Sequence, residues 1–208
     1  KPTTGIGGYG AFILTEDGIS RVAAEYHRLM STDYIYEDLI HQHPDISYIY
    51  PGSVNTLRVD TVKDDNGLVT PISATLRMGV GGSYVDNASS GGCFAGVHLD
   101  SGELRRYAYS LPKNGGARFT QHPDTDVVFE GTRIPLFNEV VKLACDAAQI
   151  VPDRNVGWDI AIACDGPVLV EGNSDYGIRL SEVAFGGYRK NPVYREMMMN
   201  YRKDTYST

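Results

Sequence analysis

The sequence predicts an α+β fold built on a mainly antiparallel sheet with helices packed against it. Segments that read as strands outnumber those that read as helices, and most neighbouring strands are joined by short hairpin turns. Lys1-Pro2 runs directly into Gly5-Ile6-Gly7-Gly8-Tyr9-Gly10 with no strand before it, so upstream sequence is expected to be missing. Ala11 to Leu14 reads as a strand and Thr15-Glu16-Asp17-Gly18 as a turn. Ile19, Val22, Ala23, Tyr26 and Met30 recur at helical spacing, which predicts a helix over 19–30. Asp33 to Ile40 is a short, aromatic-rich extended stretch followed by a polar segment. Asn55 to Val62 and Leu68 to Met78 are strands about the turn Asp64-Asp65-Asn66-Gly67, and Gly79 to Gly92 is a loop rich in Gly, Ser and Asn. Strands near Cys93 to Asp100 and Leu104 to Ser110 flank Ser101-Gly102. Ile134 to Ile150 is the best helix, with Pro135 near its first turn and an apolar stripe of Val140, Val141, Leu143, Ala144 and Ala147. Val156 to Ala163 and Pro167 to Glu171 form a last hairpin about Asp165-Gly166. Asn191 to Asp204 is a terminal helix with Pro192 in its first turn.

The 208 residues fit one or two domains and are enough to bury a core. A 42% hydrophobic and 22% charged composition belongs to a globular protein. The net charge of -7 argues against a general nucleic-acid surface, and no apolar run approaches the roughly 20 residues that span a bilayer. Cys93, Cys145 and Cys164 fit neither a disulfide framework nor a CxxC zinc site, so they read as buried free thiols, in keeping with a cytoplasmic location.

Two constellations carry chemistry. Residues 5–10 satisfy G-x-G-x-x-G, but the following Ala11-Phe12-Ile13-Leu14 is strand-like, which removes the dinucleotide reading, and no Gly-Lys-Ser/Thr follows to make a P-loop. What remains is a glycine hairpin able to lay backbone N–H groups over phosphates, with Lys1 adding charge, or else a plain flexible turn. The second constellation is the last hairpin, which brings Asp159 near Glu171 and Asn173, because antiparallel partners lie about 5 Å apart. Clustered carboxylates are costly to bury without a cation, and oxygen donors of this kind suit Mg²⁺; the alternative is a hairpin with solvated acids.

With these residues in order, the sequence resembles the ATP-grasp enzymes, and more narrowly the sugar-transfer-associated ATP-grasp group related to alpha-L-glutamate ligases. The resemblance rests on Lys1-Pro2 with the glycine loop, Glu37-Asp38-Leu39-Ile40, Ser53-Val54-Asn55-Thr56-Leu57-Arg58, Asp86-Asn87 with Gly91-Gly92, His122-Pro123-Asp124-Thr125, Gly157-Trp158-Asp159-Ile160-Ala161 and Glu171-Gly172-Asn173. It implies an ATP-grasp fold without its N-terminal domain, with residues 1–36 forming part of the lid and 37–208 the catalytic subdomain. It also implies ATP and Mg²⁺ (or Mn²⁺) as cofactors. Lys1 would touch the nucleotide phosphates, and the loop carrying Gly5, Gly7, Gly8 and Gly10 would close over them. Glu37, Leu39 and Ile40 would meet the adenine, and Arg58 and Arg77 would steady the transferred phosphate. Asp159, Glu171 and Asn173 would hold the metal.

The implied activity is ligation of a carboxylate to an amine or thiol through an acyl-phosphate. The substrates would be small molecules, saccharides or peptides, with neither nucleic acid nor membrane as partner. A small-molecule kinase on the same scaffold and a non-catalytic nucleotide-binding module are the alternatives. Arg58 and Arg77 also read as surface strand arginines. Asn87 reads equally as a contact to the acyl-phosphate or substrate and as a turn asparagine. His41 and His43 lack a third ligand and read as a solvated loop, and His122 reads as an ordinary loop histidine.

Overall fold

The computed structural model describes residues 2–4, 18–31 and 33–206, and the chain divides into two compact units, residues 1–39 and 40–208. The glycine loop and the strand expected at Ala11 to Leu14 lie outside the described residues. In the first unit, α1 (Gly18–Ala24) and α2 (Tyr26–Leu29) stand where the spacing predicts one helix, with the interruption at Glu25. Pro2 bridges to Tyr34, and the N–H of Thr3 donates to the carbonyl of Asp33 at 2.9 Å. Residues 35–40 belong to no helix or strand.

The second unit is built on β1 (Thr56–Lys63), β2 (Val69–Met78), β3 (Cys93–Val97), β4 (Leu104–Ser110), β5 (Arg118–Phe119), β6 (Asn155–Ala163) and β7 (Gly166–Asn173). They form one seven-stranded sheet in the order β5-β4-β3-β2-β1-β6-β7, with every neighbouring pair antiparallel. The pleat sends alternate residues to opposite faces. Leu57 and Val59 of β1 therefore join Leu76 and Ala74 of β2 and Ile160 and Trp158 of β6 on one face. Helix α3 (Pro44–Ile49) adds Ile46 and Ile49 to this core, and α4 (Phe137–Ile150) lays Phe137, Val140, Ala144 and Ala148 over it. Side chains buried this completely contribute about 1.5–3 kcal/mol each for the larger aliphatics. Helix α4 starts later than the apolar pattern suggests, because Leu136 takes a left-handed backbone (φ 53°) that ends any upstream helical run.

The opposite face carries Thr56, Arg58 and Asp60, and it is partly covered by α5 (Arg179–Phe185), a segment with no clear sequence signal. Asp60 fastens this cover. It is fully buried and accepts hydrogen bonds from Ser73 Oγ (2.5 Å) on β2, Ser181 Oγ (2.6 Å) on α5 and Tyr188 Oη in the turn after α5. Helix α6 (Pro192–Tyr206) then packs Val193, Tyr194 and Met197 on Val62, Ile72 and Tyr188.

The three thiols differ. Cys93 is buried, Cys145 half-buried and Cys164 exposed, because Cys164 falls in the two-residue turn between β6 and β7 rather than in either strand. That turn sets a register that would oppose Asp159 to Val170. A bulge between Asp159 and Ile160 shifts it, so that Glu171 lies opposite Asp159 and Asn173 opposite Gly157. One inserted residue rephases the strand and turns Glu171 to the Asp159 face.

Candidate active site

The polar face of the central strands gathers Arg58 from β1, Arg77 from β2, Asp159 from β6 and Glu171 from β7. Arg58 and Asp159 are direct cross-strand partners, as are Asp159 and Glu171. Asp159 is 1% exposed. Its Oδ1 accepts from Arg58 Nε at 2.5 Å, and its Oδ2 accepts from Arg58 Nη2 at 3.0 Å. Arg77 Nη2 lies 3.1 Å from the same Oδ2. Burial alone would push the Asp159 carboxyl up, but the bonds from Arg58 and the charge of Arg77 outweigh it and hold it below the usual carboxylate range. For Arg58 burial opposes the charge, yet Asp159, with Asp60 and Glu171 behind it, holds the guanidinium above its ordinary value. Glu171 is shifted the other way. The neighbouring Asp159 carboxyl pushes it up first, and partial burial adds to this.

Among the described residues, neither arginine spends its Nη1 amino group on a protein acceptor. Among the described residues the fully buried side-chain nitrogen and oxygen atoms without partners are Asp60 Oδ1 and Thr75 Oγ1, so neither Nη1 amino group is sealed from solvent. The result is two preoriented cationic forks with free N–H donors beside a pair of carboxylates. That arrangement suits an oxyanion carrying several charges.

Thr56 and Asp86 stand in the motifs that carry the resemblance but receive no role there, and Asp60 and Tyr176 are absent from the sequence reading of the site. Thr56 and Asp60 sit two positions either side of Arg58 on one strand, so alternation alone puts them on its face. Asp86 arrives from the loop after β2, where its Oδ2 accepts from the Thr56 N–H (2.9 Å) and hydroxyl (2.5 Å). The Tyr176 ring lies against the Arg58 guanidinium, 5.7 Å from centroid to Cζ, and its hydroxyl donates to Asn155 Oδ1 at 2.7 Å. Gly157 makes this packing possible. A Cβ there would stand 2.8 Å from Tyr176 Cγ and 3.1 Å from both Arg58 Cδ and Asp60 Oδ1.

Asn87 is half-buried in the turn after Asp86; its side-chain oxygen accepts from Ser89 Oγ at 3.3 Å and its carbonyl from the N–H groups of Ser90 and Gly92. Glu37 and Leu39 are exposed in the first unit, and Ile40 is half-buried at the start of the second. Lys1, Gly5, Gly7, Gly8 and Gly10 lie outside the described residues. His43 caps α3, its Nδ1 accepting from the Asp45 N–H at 3.2 Å. His122 is a core residue, fully buried and stacked on Tyr50 at 4.9 Å. Its Nδ1 accepts from the Asp124 N–H at 3.2 Å, which leaves Nε2 to donate to the Gly79 carbonyl at 2.9 Å. That pairing fixes a neutral tautomer, and burial lowers its pKa.

The profile of the sugar-transfer associated ATP-grasp family matches residues 1–191. The chain belongs to this ATP-grasp family. Its antiparallel sheet with a few packed helices is an α+β ATP-grasp fold, and the family brings an ATP-dependent, ligase-type function acting on small-molecule substrates. No curated protein matched the ATP-grasp chain. Among its described residues no helix is long and apolar enough to cross a membrane.

Proposed function

We propose that the protein uses ATP to activate a carboxylate as an acyl-phosphate and joins it to an amine or thiol, with the arginine–carboxylate cluster as the phosphoryl site. The observation behind this reading is that Arg58 and Arg77 converge on Asp159 while each keeps its Nη1 amino group open to solvent. A carboxylate is a poor electrophile. Its oxygen attacks the γ-phosphorus, the bond from phosphorus to the ADP oxygen breaks, and the acyl-phosphate forms. An amine then attacks the carbonyl carbon, gives up a proton to solvent and expels phosphate. Phosphoryl transfer asks chiefly for positioning and charge neutralisation. Arginines already fixed on Asp159, each with a free Nη1 amino group, supply both with little reorganisation.

The donor set beside the arginines fits a divalent cation. Two facing carboxylates disfavour each other, as the raised Glu171 indicates, and a cation between them relieves this. Asn173 now donates its Nδ2 to Glu171 Oε1 at 3.2 Å; a half-turn of the amide offers oxygen instead. No three Asp, Glu, His or Cys side chains converge among the described residues. Two carboxylates and an amide therefore match Mg²⁺, which relies on few protein ligands, with Mn²⁺ as the alternative. In this reading Glu171, Asp159 and Asn173 hold the ion, which when bound offsets phosphate charge. Lys1 and the glycine loop cover the phosphates, Glu37, Leu39 and Ile40 meet the adenine, and Asn87 faces the acyl group. Residues 1–36 then serve as lid and 37–208 as catalytic subdomain, in a cytoplasmic enzyme acting on a small-molecule, saccharide or peptide carboxylate.

Hydroxylamine trapping tests the chemistry: the enzyme is incubated with ATP, Mg²⁺, a pool of carboxylic acids and hydroxylamine. Hydroxamate is expected. Its absence with every acid while ATP is bound removes the ligase, and a stable phosphorylated product formed without amine indicates a kinase. Calorimetric titration of Mg·ATP tests the ion site, with Glu171→Gln expected to lose the magnesium dependence of binding.

A further inference from the structure

We propose that Thr56 and Asp86 form a positioning pair that holds Arg77 with its free amino group outward, an inference that rests on the phosphoryl-site reading above. A hydroxyl has one proton and two lone pairs, and a guanidinium only donates. Arg77 Nε and Nη2 both point at Thr56 Oγ1, at 3.0 and 2.6 Å, so both bonds are accepted by the hydroxyl. Its single proton therefore goes to Asp86 Oδ2 at 2.5 Å, where the Thr56 backbone N–H also donates.

Arg77 stands between two carboxylates, with Asp159 Oδ2 at 3.1 Å and Asp86 Oδ2 at 3.4 Å. Thr56 is what keeps it from collapsing onto Asp86. The hydroxyl takes the Nε–Nη2 edge of the guanidinium, which fixes its plane and leaves Nη1 unspent. Asp86 is itself held in place by tight packing of its loop. A Cβ at Gly92 would stand 2.6 Å from the Met78 carbonyl oxygen and 2.8 Å from that of Asp86. Valine at position 56 keeps the shape but accepts nothing. Arg77 then turns toward Asp86, and Nη1 leaves its place.

Arginine Nε–H signals in ¹H–¹⁵N NMR, read during titration with orthophosphate, test this directly. In Thr56→Val the Arg77 Nε–H should exchange with solvent at least about tenfold faster and orthophosphate affinity fall about tenfold, the scale of one lost charge-assisted bond. Thr56→Ser should restore both. Asp86→Asn, which keeps an acceptor oxygen but not the charge, should shift both the same way by less, and it decides the matter if Thr56→Val does not fold. The pairing is overturned if folded Thr56→Val keeps the wild-type exchange rate and affinity, or if Thr56→Ser behaves like Thr56→Val. If orthophosphate leaves the wild-type Arg77 signal unmoved, the phosphoryl-site reading falls, and the exchange rates alone support or overturn the pairing.

Discussion

Replacing Arg58 by Met removes two of the three arginine contacts on a carboxylate that is 1% exposed, while keeping most of the stem that packs beside Gly157. Hydrogen bonds to charged groups are worth about 1.5–3 kcal/mol each, and breaking a buried pair costs about 3–5 kcal/mol, because the surviving charge is left uncompensated. Urea unfolding at pH 7 should therefore show a loss of about 3–5 kcal/mol. The pH dependence separates this cause from lost packing. In the native protein Asp159 is held below its ordinary value, so its contribution is present above the unfolded carboxyl value of about 3.9 and fades as pH falls through the lowered value. In the variant, burial dominates and Asp159 takes up a proton more readily, so the deficit should shrink as pH falls from 7 towards about 4. Adding Asp159→Asn should recover at least part of the loss at pH 7. A deficit below about 1 kcal/mol, the range of exposed pairs, or one that does not change with pH, refutes the argument.

Three further outcomes are expected. Thr75→Val should raise stability by about 1 kcal/mol in urea titration, since the Thr75 hydroxyl is buried without a partner and the replacement has the same shape. Gly157→Ala should cost about 1–3 kcal/mol by overpacking Tyr176, Arg58 and Asp60, and the Arg58 Nε–H signal should shift in NMR. The Asp60 carboxyl is pushed up, chiefly by burial. Its contribution is therefore complete below the unfolded carboxyl value and is lost as pH rises through the raised native value. Asp60→Asn should flatten that decline when unfolding midpoints are compared across this window.

Much of the sheet is legible from alternation. Thr56-Leu57-Arg58-Val59-Asp60 declares both its strand and its two faces, and the turn at Asp64 to Gly67 fixes the partner strand, with the Asp64 side chain accepting from the N–H groups of Asn66 and Leu68. Helix α5 escaped because it has only seven residues, with the glycines at 186 and 187 just beyond its end, and its role depends on the buried Asp60 it reaches rather than on an apolar stripe. Cys164 looked buried because its neighbours are apolar, yet a two-residue turn exposes it. His122 reads as a loop residue, but it is fastened through both ring nitrogens, and only the spatial neighbours Tyr50 and Gly79 reveal this.

Local pattern determined the faces of the central strands and the order of the motifs, because side-chain direction along a strand follows a fixed period. Apart from the hairpin that sets Asp159 near Glu171, the tertiary structure decided who meets whom. The bulge that brings Glu171 opposite Asp159 is set by how two strands pack. The Thr56–Asp86 contact spans 30 residues, and the Arg58–Asp159 contact spans 101, so no sequence period encodes either one. Such pairings form because a buried charge must find a partner wherever the fold brings one within reach.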